Sequence, residues 1–176
     1  MNLDINTPRG QKSLRDEQVM LNSIAKKYGS QVYQTPKERE AKCDGIIARN
    51  GEIRGIFESK CRYNLYYDFN TGKLDVEGKN GFRPCDSWLI TYEKIELGAY
   101  LSKLLCVPFI GFLYIVNSGV VLTWKITDDV GNIIIDTNEA VTATQYSING
   151  GTAVRKNAYL KLTDSKLLIK PNELVL

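Results

Sequence analysis

Residues 42–62 read KCDGIIARNGEIRGIFESKCR, and the fold turns on how this stretch pairs with itself. Asn50-Gly51, flanked by β-prone residues, is a strong hairpin signal, so strands are expected over 42–48 and 52–62. Side chains alternate between the two faces of a strand. A two-residue loop pairs Arg49 with Glu52 and Asp44 with Phe57, which leaves Asp44 on the face opposite Glu58 and Lys60. A three-residue loop over Arg49-Asn50-Gly51 pairs Asp44 with Ile56 and gathers the three polar residues on one face. The sequence tolerates either. Only an odd-length loop or a bulge assembles a site.

Upstream, residues 13–28 have helical periodicity, with Ser13 and Asp16 spaced as a capping box and Gly29 as a stop. The apolar stripe is Leu14, Leu21, Ile24 and Tyr28, and the position midway between the first two is Glu17. A carboxylate on the inward face requires a partner, because leaving it buried and unpaired costs several kcal/mol. Downstream, the glycines and Pro84 of segment 63–86 predict a long loop, with a turn near Thr71-Gly72. A short strand-like piece, Trp88–Ile90, precedes a helix over 92–105 with Thr91 as its N-cap. Pro108 ends that helix. Phe109–Val116 reads as a central strand and Ser118-Gly119 turns it into a second, Val120–Ile126. Beyond 127 the pattern is β-like and polar, with turns at Gly131-Asn132 and Asn149-Gly150-Gly151. The expected architecture is one α/β domain with a mixed sheet flanked by helices: a core over about 13–126 and a β-rich extension over 127–176.

With 176 residues, 43% apolar and 24% charged, the chain has the composition of an ordinary globular domain. No signal-like run opens it, and the longest apolar stretch, Leu104–Val116, is interrupted by Pro108 and Gly111, short of a membrane span. A cytoplasmic, non-membrane protein is expected. Cys43, Cys61, Cys85 and Cys106 lack zinc-ligand spacing and are expected to be reduced thiols filling the core. There is no histidine. That excludes Ser-His-Asp and Cys-His hydrolases, histidine-ligated deaminases and nucleases with a histidine base. The net charge of +3 permits a nucleic-acid partner without indicating one.

What remains is carboxylate, lysine and metal chemistry. Asp44 and Glu58 are hard oxygen donors suited to Mg²⁺. Lys60, two residues beyond Glu58 on the same face, is placed to hold an attacking water or stabilise a pentavalent phosphate. Together they form a minimal set for metal-assisted phosphodiester hydrolysis. The alternation Glu52, Arg54, Ile56, Glu58, Lys60, Arg62 also suits a solvated edge with cross-strand ion pairs. What distinguishes this chain is Asp44 one hairpin earlier, Glu17 within an apolar stripe, and a helix with a buried strand after them.

In that order the chain resembles the PD-(D/E)XK nuclease superfamily, the restriction-endonuclease-like fold that includes archaeal-type Holliday-junction resolvases and many phage nucleases. The resemblance covers about 13–126, with Glu17, Asp44, Glu58 and Lys60 at the family's motif positions and Cys43 where the motif has proline. It implies Mg²⁺, replaceable by Mn²⁺, held by Asp44, Glu58, Glu17 and the backbone carbonyl of Ser59, with DNA as substrate. Tyr92 and Lys94, in the first turn of the second helix, and Arg62 are candidate DNA contacts; Arg155 and Lys156 are weaker ones. The narrower alternative is a resolvase acting on branched DNA as a homodimer. The alternative of another class is a nucleic-acid-binding or assembly protein that keeps the fold without catalysis. Compact size fits a phage or mobile-element protein of DNA replication, recombination or repair.

Overall fold

The computed structural model describes residues 7–36, 43–143 and 154–175. Lys42 and the turn expected at Asn149-Gly150-Gly151 lie outside them. The first helix, α1 (Pro8–Tyr28), starts five residues earlier than the Ser13 box implied: Thr7 is the N-cap, accepting from the Gly10 N–H, and Pro8 takes the first turn. Asp16 instead accepts a hydrogen bond from the Tyr63 hydroxyl at 2.7 Å. At the other end Gly29 is left-handed, as expected.

A short edge strand, β1 (Gln31–Gln34), leads to β2 (Gly45–Arg49) and β3 (Glu52–Arg62). Segment 63–86, expected as a loop, is a three-stranded antiparallel sheet of β4 (Leu65–Asp68), β5 (Lys73–Gly78) and β6 (Gly81–Cys85), turning at Thr71-Gly72. Its glycines sit in and around tight turns and Pro84 lies within β6 opposite Asp75, while Leu65, Leu74 and Val76 pack one face of the sheet into the core. Next come β7 (Ser87–Thr91), α2 (Tyr92–Leu105), β8 (Phe109–Ile115) and β9 (Val120–Lys125), within a residue or two of expectation. Thr91 precedes α2 as foreseen, but its side chain makes no capping bond. The C-terminal part supplies β10 (Thr137–Ala143), β11 (Val154–Lys161) and β12 (Lys166–Ile169).

The main sheet has the order β1-β2-β3-β8-β9-β12, antiparallel except for the parallel β3–β8 pair. A second sheet, β10-β11-β7, ties the C-terminal hairpin to the strand that enters α2. The extension is therefore built into the core: β12 completes the main sheet, and Ala158, Leu160 and Ile169 are buried. The chain is mixed α/β with a mostly antiparallel sheet. On one face of the sheet, Met20, Leu21 and Ile24 of α1 pack on Phe57, Phe112, Tyr114 and Val121. On the other, Ile95 of α2, Trp88 and the β4–β6 sheet cover Ile56, Leu113 and Ile115. The cysteines only partly fit the expectation of core filling. All four are free thiols, but only Cys43 is buried, and Cys106 is exposed at the left-handed end of α2. Among the described residues no helix is long and apolar enough to cross a membrane.

Candidate functional site

The hairpin between β2 and β3 resolves the register question by the bulge route. Its turn is the two-residue Asn50-Gly51, both at positive φ (53° and 79°), with Arg49 paired to Glu52 and Ala48 to Ile53. The register then shifts between Ile47 and Ala48, so that Ile47 faces Gly55 and Gly45 faces Phe57, leaving Arg54 as the additional residue. The ladder ends at Gly45, and Asp44, just before β2, donates its N–H to the Phe57 carbonyl at 2.9 Å while its Oδ2 accepts from the Ser59 N–H at 2.8 Å. A two-residue turn without the bulge would have opposed Asp44 to Phe57. Gly45 is required for the close approach that follows: a Cβ there would lie 2.3 Å from the Tyr33 carbonyl oxygen and 2.6 Å from the Phe57 ring.

Alternation along β3 sends Ile56 and Glu58 toward α2, and Phe57 and Ser59 toward α1. Glu58 is 6% exposed, and its Oε2 accepts from Lys94 Nζ at 3.0 Å. Burial, with the Asp44 charge next in weight, pushes the Glu58 carboxyl above the usual carboxylate range. The nearby Lys94 and Lys60 charges pull the other way without reversing it. Lys60 is exposed, two residues further along the same strand.

On the α1 face, Ser59 joins the other two carboxylates. Its backbone N–H donates to Asp44 Oδ2 at 2.8 Å, and its Oγ lies 2.6 Å from Glu17 Oε1 and 3.2 Å from Asp44 Oδ2. A serine hydroxyl carries one proton. The shorter contact takes it, so Ser59 serves Glu17 through its side chain and Asp44 through its backbone. Glu17, 9% exposed, points inward as its place in the stripe required. It reaches Asp44 through Ser59, whereas Glu58 lies on the other side of the strand. The set proposed as one cluster is thus two linked halves. Among the described residues no group of three or more Asp, Glu, Cys or His side chains is close enough to hold a metal.

No family model, curated protein or solved structure matches this chain.

Of the candidate phosphate contacts, Lys94 joins the site through Glu58. Arg62 is half-buried on β3; its guanidinium donates to the Cys61 carbonyl at 3.3 Å, forms no ion pair among the described residues, and has its pKa lowered by burial. Tyr92, first in α2, lies under Lys156 of β11, whose ammonium sits 3.6 Å from the ring centroid and 2.6 Å from Glu139. Sequence reasoning placed only the Ser59 carbonyl in the site and missed its side chain. The signal was available, because in an alternating strand the residue between Glu58 and Lys60 faces the helix that carries Glu17. Arg54 was missed as well: nothing in IRGIF marks which residue bulges.

Proposed function

We propose that this chain is a divalent-metal-dependent DNA nuclease of restriction-endonuclease-like fold. The observation that carries this reading is the placing of Asp44 and Glu58 near one another at the end of the bulged β2–β3 hairpin, where burial first and the Asp44 charge second raise the pKa of Glu58. Like charges held together without a compensating benefit are unfavourable. A cation relieves the repulsion, and the hard oxygen donors suit Mg²⁺ or Mn²⁺. Asp44, Glu58 and the Ser59 carbonyl would hold the ion, with Glu17 bracing Asp44 through Ser59. When bound, such an ion offsets charge on a scissile phosphate and acidifies a water. Lys60, solvent-facing beside Glu58, supplies positive charge where the attacking water and the phosphate meet. Lys94, bound to Glu58, and Arg62 and Tyr92 are the proposed contacts to the DNA backbone. Four free thiols fit a reducing, cytoplasmic setting, and DNA replication, recombination or repair of a phage or mobile element is the assigned context.

One observation favours a second reading, a nucleic-acid-binding protein without catalysis: Lys94 already pairs with Glu58, and among the described residues no three-carboxylate group is formed. Thermal unfolding with and without Mg²⁺ or Mn²⁺ separates the two, since a ligand that binds only the folded state raises the midpoint. The direct test is a cleavage panel of single-stranded, duplex, flap and four-way-junction DNA with Mg²⁺, Mn²⁺ or EDTA. Cleavage confined to the junction, by a dimer, would select the resolvase branch.

A further inference from the structure

On the α1 face, at the hairpin end of the sheet and away from the carboxylates, an open cleft of about 540 Å³ lies between the end of α1 and the strands. That size is within the range of small-molecule sites. Its apolar lining is Ile24, Ile47, Ile110, Phe112 and Leu168. Three polar features converge on it. Arg49 reaches the lining from β2 and has no ion-pair partner among the described residues; Arg54, the bulge residue, reaches it from β3; and Ser30 contributes a buried Oγ with no hydrogen-bond partner. Glu52 is the acid at this rim, and it pairs with Arg54 at 2.5 Å. The rim retains a net positive charge above an apolar floor.

We propose that this cleft binds a small amphiphilic anion, with an aliphatic or aromatic body on the isoleucines and Phe112 and a carboxylate or similar head at Arg49 and Arg54. Charge complementarity selects the head group: two guanidiniums against one carboxylate favour an anion, and Arg49 can grip it in bidentate fashion. Ser30 Oγ adds a donor that is otherwise unsatisfied, an arrangement that native interiors avoid. The bulge accounts for the placement of Arg54, since a bulge re-aims the residue it inserts. The site is separate from the proposed nuclease centre, so either can fail without the other.

The test is isothermal titration of the full chain with dodecanoate below its micellar concentration, beside uncharged dodecanol and acetate. Saturable one-to-one binding of dodecanoate is expected, at least about tenfold tighter than dodecanol and weakened about tenfold or more by Arg49→Glu or Arg54→Glu. Both substitutions fall at exposed side chains and leave the core intact. In methyl-labelled spectra the resonances of Ile24, Ile47 and Ile110 should shift with dodecanoate. Absence of saturable binding, affinity unchanged in both Glu variants, or shifts confined to other methyls would overturn the proposal. So would a concentration-dependent dimer that perturbs these same methyls while dodecanoate does not bind, which would assign the cleft to a second copy of the chain.

Discussion

Asp44 Oδ2 lies within hydrogen-bond distance of both donors of Ser59, 2.8 Å from the backbone N–H and 3.2 Å from Oγ, while that same Oγ sits 2.6 Å from Glu17 Oε1. One serine therefore couples a helix carboxylate to a hairpin carboxylate. Ser59→Ala keeps the backbone bond to Asp44 and removes the hydroxyl from a buried glutamate. A stability loss of about 1–3 kcal/mol is expected in urea unfolding, the usual result of taking a partner from a buried polar group. An unchanged midpoint would show that Glu17 does not depend on Ser59.

Arg54 is the additional, unopposed residue of the β2–β3 bulge. Deleting it is expected to give a regular two-residue hairpin that keeps Ile47 opposite Gly55 and Gly45 opposite Phe57, so that Asp44 stays where it is. The prediction is a folded protein, with unfolding still cooperative, that keeps its stabilisation by Mn²⁺. Lost Mn²⁺ stabilisation would mean that the carboxylates depend on the local twist of the bulge and not on the strand register alone.

These two residues show where the sequence was readable. Elements long enough to display their period, such as α2, β3 and β8, were legible almost to the residue, and Glu17 was legible because a helix stripe fixes its direction. The bulge was not, because Ile53-Arg54-Gly55 accommodates an additional residue without any change in hydrophobic pattern. Segment 63–86 was misread because its turn residues are dense and its strands short, so alternation is sampled over only a few residues in each. β12 was equally hidden: four residues, Lys166–Ile169, join the main sheet through contacts distant in sequence. Burial of Leu65, Leu74 and Ile169, decided by packing, is what makes these segments strands.

Glu58 makes stability depend on pH. Burial and then the Asp44 charge raise its carboxyl pKa in the folded state, Lys94 notwithstanding. A raised folded-state pKa means that its contribution is fully present below the unfolded value and is lost as pH rises through the folded one. Glu58→Gln is neutral throughout. In EDTA it should unfold at a higher temperature than the parent near pH 8, with the difference closing toward about pH 4. A variant less stable than the parent near pH 8 would show that the ion pair with Lys94 outweighs desolvation.

Lys94 occupies the cation position beside Glu58, with its ammonium 3.0 Å from Oε2. Lys94→Met removes a charge that competes with a divalent ion. Mn²⁺ affinity measured by isothermal titration is expected to tighten by about tenfold. Weaker binding in the variant would place Lys94 in support of the ion and not in competition with it.

The central claim is that Asp44, Glu58 and Lys60 perform metal-dependent phosphodiester cleavage. Its most direct measurement is the single-turnover rate of the parent, Asp44→Asn, Glu58→Gln and Lys60→Ala on the DNA panel in Mg²⁺, with unfolding curves confirming that each variant is folded. The account predicts cleavage of at least one substrate by the parent, none in EDTA, and losses on the order of 10² to 10³ or more in every variant. Only the two carboxylate variants should also lose metal affinity. A Lys60→Ala protein that cleaves every DNA as fast as the parent, or a parent that cleaves none with either metal, would contradict it.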